Sequence, residues 1–184
     1  MLVPGLVENK KELQQILSLQ SENLSHHISP EELLSQGFVT IRHDINTLLQ
    51  MHALAPSVIV KDKGNVVGYA LTMLKECRQL IPGLEPMFAV FDQLTWNAKP
   101  LNQYKFYIMG QICVARPYRG HGLVELLYQF HKKCYGTRYE LLVTEIATRN
   151  KRSLRAHEKA GFKTIHIHQD QMDEWAVVVW DWSR

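Results

Sequence analysis

Arg116-Pro117-Tyr118-Arg119-Gly120-His121-Gly122 joins two segments of opposite periodicity. Before it, Lys105 to Ala115 reads as a long buried strand. After it, Leu123, Leu126, Leu127, Phe130 and Cys134 recur at three- and four-residue steps, the signature of an amphipathic helix. A glycine-rich turn between a strand and a helix start has the physics of an anion site. The first backbone N–H groups of a helix lack internal partners and carry the positive end of its dipole. Glycine permits positive φ and close backbone approach, so successive N–H groups can converge on one phosphate. Two familiar phosphate turns fail here. A P-loop ends in Gly-Lys-Ser/Thr, where this chain has Gly122-Leu123-Val124, and a dinucleotide fingerprint needs a third glycine where Glu125 stands. Taken alone, the turn fits a tight connection and a phosphate site equally well.

Working outward, a strand (Tyr139 to Ile146), a helix (Lys151 to Ala160) and two strands (Phe162 to His168, Trp175 to Trp182) follow the turn. Upstream, residues 9–20 place Leu13, Ile16 and Leu17 on one helical stripe. Ser29-Pro30-Glu31-Glu32 is a capping box with proline at the first helical position, which predicts a short helix to Gln36 and a stop at Gly37. Phe38 to Ile41 reads as a short strand. Asp44 predicts a cap for a helix through Leu48, Leu49 and Met51. Ser57 to Val60, the turn Lys63-Gly64-Asn65, and Val66 to Leu71 form a predicted hairpin. Residues 78–103 are less regular, with Met87, Phe88, Phe91 and Leu94 on one stripe after Pro82-Gly83. This order predicts an α/β (α+β) fold, a mixed sheet with helices on both faces.

Composition narrows the function. With 184 residues, the chain suits one domain spanning 1–184, which buries roughly 70% of its unfolded surface. Three cysteines, an odd number with no CxxC pair, argue against a disulfide framework and a zinc site. A formal charge of +3 without a basic stripe argues against nucleic acid. Met1 to Gly5 lacks the cationic start of a signal peptide, and no apolar run approaches the roughly 20 residues that span a bilayer. A cytoplasmic protein without a membrane partner is expected.

Asn150, Ser153 and His157 lie at i, i+3 and i+7, one face of the helix that follows Glu145-Ile146-Ala147-Thr148. Gly161 reads as its left-handed cap. Singly, Asn150 is an ordinary N-cap, Ser153 a solvated first-turn group and His157 a satisfied histidine. Lined up beside a strand end and just after an anion-binding turn, they favour a site.

Gly110-Gln111-Ile112-Cys113-Val114 with Arg119-Gly120-His121-Gly122, followed by Asn150-x-x-Ser153-x-x-x-His157-x-x-x-Gly161-Phe162, resembles the GNAT superfamily of acetyl-CoA-dependent N-acyltransferases. The clear match runs from Tyr104 to Trp182. The resemblance implies a mostly antiparallel sheet with splayed central strands and acetyl-CoA as co-substrate, with no metal. It implies that Arg119, Gly120, His121, Gly122, Leu123 and Val124 bind the pyrophosphate through backbone N–H groups. Val124 departs from the family's Gly/Ala there. Ile112, Cys113 and Val114 would pair with the pantetheine arm, with Asn150 hydrogen-bonded to that arm and Ser153 also at the cofactor.

Attack on a thioester needs a neutral amine, and a lysine-like amine has a pKa of about 10.4. A base is therefore required, and Glu145 is the candidate. Related enzymes that acetylate protein N-termini carry a base and an acid at the positions of Glu145 and His157. The family's usual acid is tyrosine, so His157 is a departure, with Tyr107 and Tyr104 as alternative donors. A strand-end carboxylate paired with a nearby cation is the plainer reading of Glu145.

Cys113 reads as packing, and His166, His168 and Asp170 as a solvated face, with His26-His27 as loop. The expected function is acetyl transfer to a primary amine on a small molecule or peptide, and homodimers are common in the family. A non-catalytic acyl-CoA-binding module and transfer to another acceptor are the alternatives.

Overall fold

The computed structural model describes residues 1–24 and 38–183. The helix expected from the Ser29 capping box and the His26-His27 loop lie outside the described residues. Nine strands occur among the described residues: β1 (Val3–Leu6), β2 (Val58–Asp62), β3 (Asn65–Met73), β4 (Thr95–Trp96), β5 (Lys99–Pro100), β6 (Phe106–Val114), β7 (Leu141–Ala147), β8 (Lys163–Gln169) and β9 (Glu174–Asp181). Seven form one sheet in the order β1-β2-β3-β6-β7-β9-β8, while β4 and β5 make a separate short hairpin. All neighbours in the large sheet are antiparallel except β6 and β7.

Among the described residues, five α-helices flank the sheet: α1 (Lys10–Glu22), α2 (Ile45–Leu54), α3 (Glu85–Phe91), α4 (Leu123–Tyr135) and α5 (Lys151–Ala160). Strand alternation sends successive side chains to opposite faces. On one face, Ile59, Leu71, Ile108, Val143 and Val177 pack with Leu13 and Ile16 of α1, Leu48 of α2 and Phe91 of α3. On the other, Val58, Ala70, Tyr107, Leu142 and Val178 pack with Leu127 and Tyr128 of α4, and Leu154 of α5 joins them. Strand β9, covered on both sides, is accordingly an unbroken apolar run from Ala176 to Trp180. Among the described residues, no helix is long and apolar enough to cross a membrane.

The caps expected at Asp44 and Asn150 are formed, and Asn9 serves α1 in the same way. Asn9, Asp44 and Asn150 each accept a backbone N–H from the first turn of α1, α2 and α5. One expectation fails, and one strand carries no signal in the sequence. Phe38 to Ile41 is not a strand; it makes only an isolated bridge between Val39 and Leu24. Conversely, Val3-Pro4-Gly5-Leu6 is an edge strand on β2, too short and too rich in Pro and Gly to show alternation.

Gly161 ends α5 at φ +110°, with its own N–H and that of Phe162 bonded back to His157 O at 3.1 and 3.0 Å. A Cβ there would lie 2.7 Å from Trp180 Nε1. Left-handed strain and this overlap together set the expected loss for Gly161→Ala at about 2–4 kcal/mol. Scanning calorimetry should show a Tm lowered by roughly 5–10 °C. An unchanged Tm would mean that the indole shifts freely.

Candidate functional site

The site begins with a defect in the sheet. Strands β6 and β7 pair in parallel only from Phe106/Leu141 to Ile108/Val143. Opposite β3, the register advances by three residues on β6, from Met109 to Ile112, for two on β3, from Thr72 to Ala70. That extra residue at Gly110-Gln111 is a bulge, and a bulge bends its strand and increases local twist. Beyond it β6 leaves β7. Thr144 marks the parting, its hydroxyl donating to Met109 O at 2.8 Å.

A cleft of about 280 Å³ occupies the opening. Ile112, Cys113 and Val114 of β6 form one wall, and Asn150, Ser153, Ala156 and His157 of α5 the other. The floor is the glycine turn and the start of α4, from Arg119 to Glu125 without His121, which is exposed and outside the lining. Gly120 and Gly122 adopt φ of +82° and +77°. A Cβ added to either would meet nothing within 4 Å, so the space above the turn is open. No side chain caps α4, which leaves its first-turn amides for another partner. Arg152 and Lys159 also line the cleft.

The side chains of two predicted cofactor residues are engaged within the protein, Arg119 having been expected to act through its backbone N–H. The Arg119 side chain donates from Nε to Val114 O at 3.2 Å and from its terminal nitrogen to Asn23 Oδ1, clasping the turn to the end of α1. Asn150 uses Oδ1 on Ser153 N at 3.2 Å and donates Nδ2 to Phe38 O at 3.3 Å. Its amide thus holds the 38–41 segment over the cleft, so a pantetheine contact would have to share or replace that bond.

A smaller cavity of about 80 Å³ adjoins the first, sharing Phe38, Val39, Ile112, Asn150, Ser153 and His157. Gly110, Gln111, Thr144, Glu145 and Trp175 complete it. Glu145 Oε1 is bonded to His168 Nε2, and both side chains are largely buried. Burial pushes the Glu145 carboxyl above the ordinary carboxylate range, against the pull of the His168 bond. The expectation that His168 belongs to a solvated face is therefore corrected. It sits on the candidate base.

The acid role expected of His157 finds no support in this geometry. His157 is 1% exposed. Its Nδ1 donates to Ser153 O at 2.8 Å, since a carbonyl only accepts, and its Nε2 accepts from the Tyr128 hydroxyl. Burial lowers its pKa to about 4, so it is neutral at pH 7 with both nitrogens engaged. The alternative donors are also occupied, Tyr107 with His131 Nδ1 at 3.0 Å and Tyr104 with Trp96 O at 2.9 Å. Burial pushes the Cys113 thiol up to about 12, which agrees with packing rather than nucleophilic use.

A family model described as the acetyltransferase (GNAT) family matches residues 13–162. The chain belongs to this family. The match starts far upstream of Tyr104, so the N-terminal helices are part of the family domain. Acyl transfer from acetyl-CoA is the family's general activity. A comparison with curated proteins returned no match.

Solved structures share the fold. The ribosomal-protein-S18-alanine N-acetyltransferase of Escherichia coli superposes with a TM-score of 0.68 at 12% identity, over 100% of this chain and 96% of that one. A chain of the NatC complex bound to Gag peptide and CoA gives 0.66 at 13% identity, over 98% of each. The Salmonella typhimurium protein yncA, solved with its cofactor acetyl-CoA, gives 0.65 at 13% identity, over 100% of this chain and 95% of that one.

In this GNAT chain, sequence reasoning missed three contributors to the site. Arg152 and Lys159 sit on the same face as Ala156, at i, i+4 and i+7, a signal present in the sequence and hidden among other α5 charges. Phe38 has no such signal. It reaches the cleft only through the path of the 38–41 segment.

Proposed function

We propose that this GNAT-family chain transfers an acetyl group from acetyl-CoA to a primary amine by direct attack in a ternary complex. One observation carries the reading. Two adjoining cavities, which share Ile112, Asn150, Ser153 and His157, extend from the left-handed glycine turn to the largely buried Glu145 carboxyl. Coenzyme A fits the larger cavity by its chemistry: amides at the start of α4 and the Gly120–Gly122 turn for the pyrophosphate, Arg152 and Lys159 for phosphate charge, and apolar Ile112 and Val114 along the arm. The unpaired edge of β6 past Ile108 would bond the arm as an added strand, with Ser153 opposite. The acetyl group would then lie beside the smaller cavity.

There Glu145 would take a proton from the ammonium form of the acceptor. A carboxyl raised by burial is a better base than an exposed one. The amine lone pair then attacks the thioester carbonyl, and a backbone N–H near Cys113 or Val114 would hold the oxyanion. Collapse breaks the C–S bond, and the nitrogen's second proton passes, directly or through water, to the departing thiolate. A thiol of pKa about 8.5 is a sufficiently good leaving group that no side-chain acid is required. This agrees with the occupied nitrogens of His157. A cytoplasmic setting, where acetyl-CoA is supplied, suits this activity.

One observation favours a second reading, a non-catalytic acyl-CoA-binding module: the candidate acids His157, Tyr107 and Tyr104 all have their donor hydrogens engaged within the protein. Release of free thiol from acetyl-CoA separates the two. The panel is spermidine, free lysine, kanamycin, a peptide with a free alanine N-terminus, and an N-blocked peptide containing lysine. Amine-dependent release with at least one member is expected. Slow release indifferent to every amine would support the binding module.

A further inference from the structure

His168 lies on β8, the outermost strand of the sheet, with β9 between it and β7. In register it stands opposite Trp175, while Glu145 stands opposite Val177. The imidazole therefore crosses β9 diagonally to reach the carboxylate, and both side chains are buried by doing so, at 15% and 11% exposed. A carboxylate can only accept, so Nε2 carries the hydrogen. His166 stacks on the ring, centroids 5.8 Å apart and planes at 16°, which restricts its orientation.

The remaining charge near Glu145 is Asp170, just past β8, whose carboxylate is tied into its own turn by Met172 N and Asp173 N at 2.7 and 2.9 Å. Strand β9 presents Val177 and Trp175, and β6 presents Gly110 and Met109; none of these titrates.

We infer that His168 is a positioning residue for the transfer: its Nε2–H fixes Oε1 of Glu145 and leaves Oε2 as the oxygen that receives the acceptor's proton. The inference rests on the base role proposed for Glu145. A carboxylate on a strand has two free torsions beyond χ1, and without the imidazole it can turn either oxygen, or neither, toward the opening. The Nε2–H bond also stabilises the ionised form, which a buried base needs before it can accept a proton. The step is a simple transfer. The ammonium N–H bond breaks, its electron pair stays on nitrogen for the attack, and the proton resides on Oε2 until it leaves to solvent.

The role requires an N–H donor and no titration of its own. Glutamine places an amide Nε2 near the position of the imidazole Nε2, whereas leucine keeps bulk without a donor. At saturating acetyl-CoA, with the fastest panel amine, His168→Leu should lower kcat about ten- to a hundredfold, the worth of one charge-assisted hydrogen bond. KM for acetyl-CoA should not change, and His168→Gln should restore most of kcat. The acid limb of the pH–rate profile should move to higher pH in His168→Leu, because the bond that lowers the Glu145 carboxyl is gone. A ¹³C titration of the Glu145 carboxyl should show the same upward shift with no acceptor present.

A normal kcat and an unmoved carboxyl midpoint in His168→Leu would overturn the positioning role, while a slow Glu145→Gln kept the base reading. His168→Gln as slow as His168→Leu would overturn it as well, pointing instead to a proton carried by the ring. A fully active Glu145→Gln would remove the base reading and this inference together.

Discussion

Gly122→Val is expected to abolish coenzyme A binding while leaving a folded protein. Gly122 holds φ +77°, a left-handed conformation that costs an L-residue about 1–2 kcal/mol and a β-branched one more. A Cβ there meets no protein atom within 4 Å. The added side chain would therefore occupy the open space above the turn, where a pyrophosphate must approach the α4 amides. Wild-type protein at 100 times its dissociation constant should gain about 2.7 kcal/mol, a Tm rise of several degrees. Gly122→Val should show a lower ligand-free Tm and no rise with either coenzyme A or acetyl-CoA. Gly122→Ala separates strain from obstruction, since it carries the backbone cost with the smallest side chain and should retain partial binding. A full ligand-induced shift in the valine variant would sink the pyrophosphate assignment.

Glu145→Gln should slow transfer by about 10²–10⁴-fold near neutral pH, the usual worth of a general base. At pH 7 an amine of pKa about 10.4 is neutral in roughly one molecule in a few thousand, so the base matters most there. As pH rises toward the amine's own pKa, solvent supplies the neutral form and the deficit should narrow. Acetyl-CoA affinity should be unchanged, because Glu145 lines only the smaller cavity. In the wild type, rate should fall on the acid side through a midpoint above the ordinary carboxylate range, the direction burial imposes on this group. A profile identical in wild type and variant would make Glu145 a structural partner of His168.

Much of the site was legible because its parts are local. A glycine pair before a helix, a cap residue with its N–H donor three positions on, and a glycine after the last helical turn all act within one or two turns of chain. The helices α4 and α5, the hairpin β2–β3 and the turn residues Gly120 and Gly122 could therefore be read directly. The splay could be named only through the family resemblance. Its cause, an extra residue at Gly110-Gln111, is defined by pairing with β3 about 40 residues earlier, and periodicity along one strand does not show it.

Side-chain partners behave differently. The amino-acid sequence by itself determined most of the order of elements, the glycine turn before α4 and the polar row Asn150, Ser153, His157, because backbone sterics and helix periodicity depend on near neighbours. Only the tertiary structure decided what those groups touch. It set Asn150 on Phe38 O, Arg119 on Asn23, His157 under Tyr128 and Glu145 against His168. Each of these pairs joins separate elements, and the choice of partner follows from sheet order and burial. A buried polar group must find a hydrogen-bond partner wherever the fold has placed one.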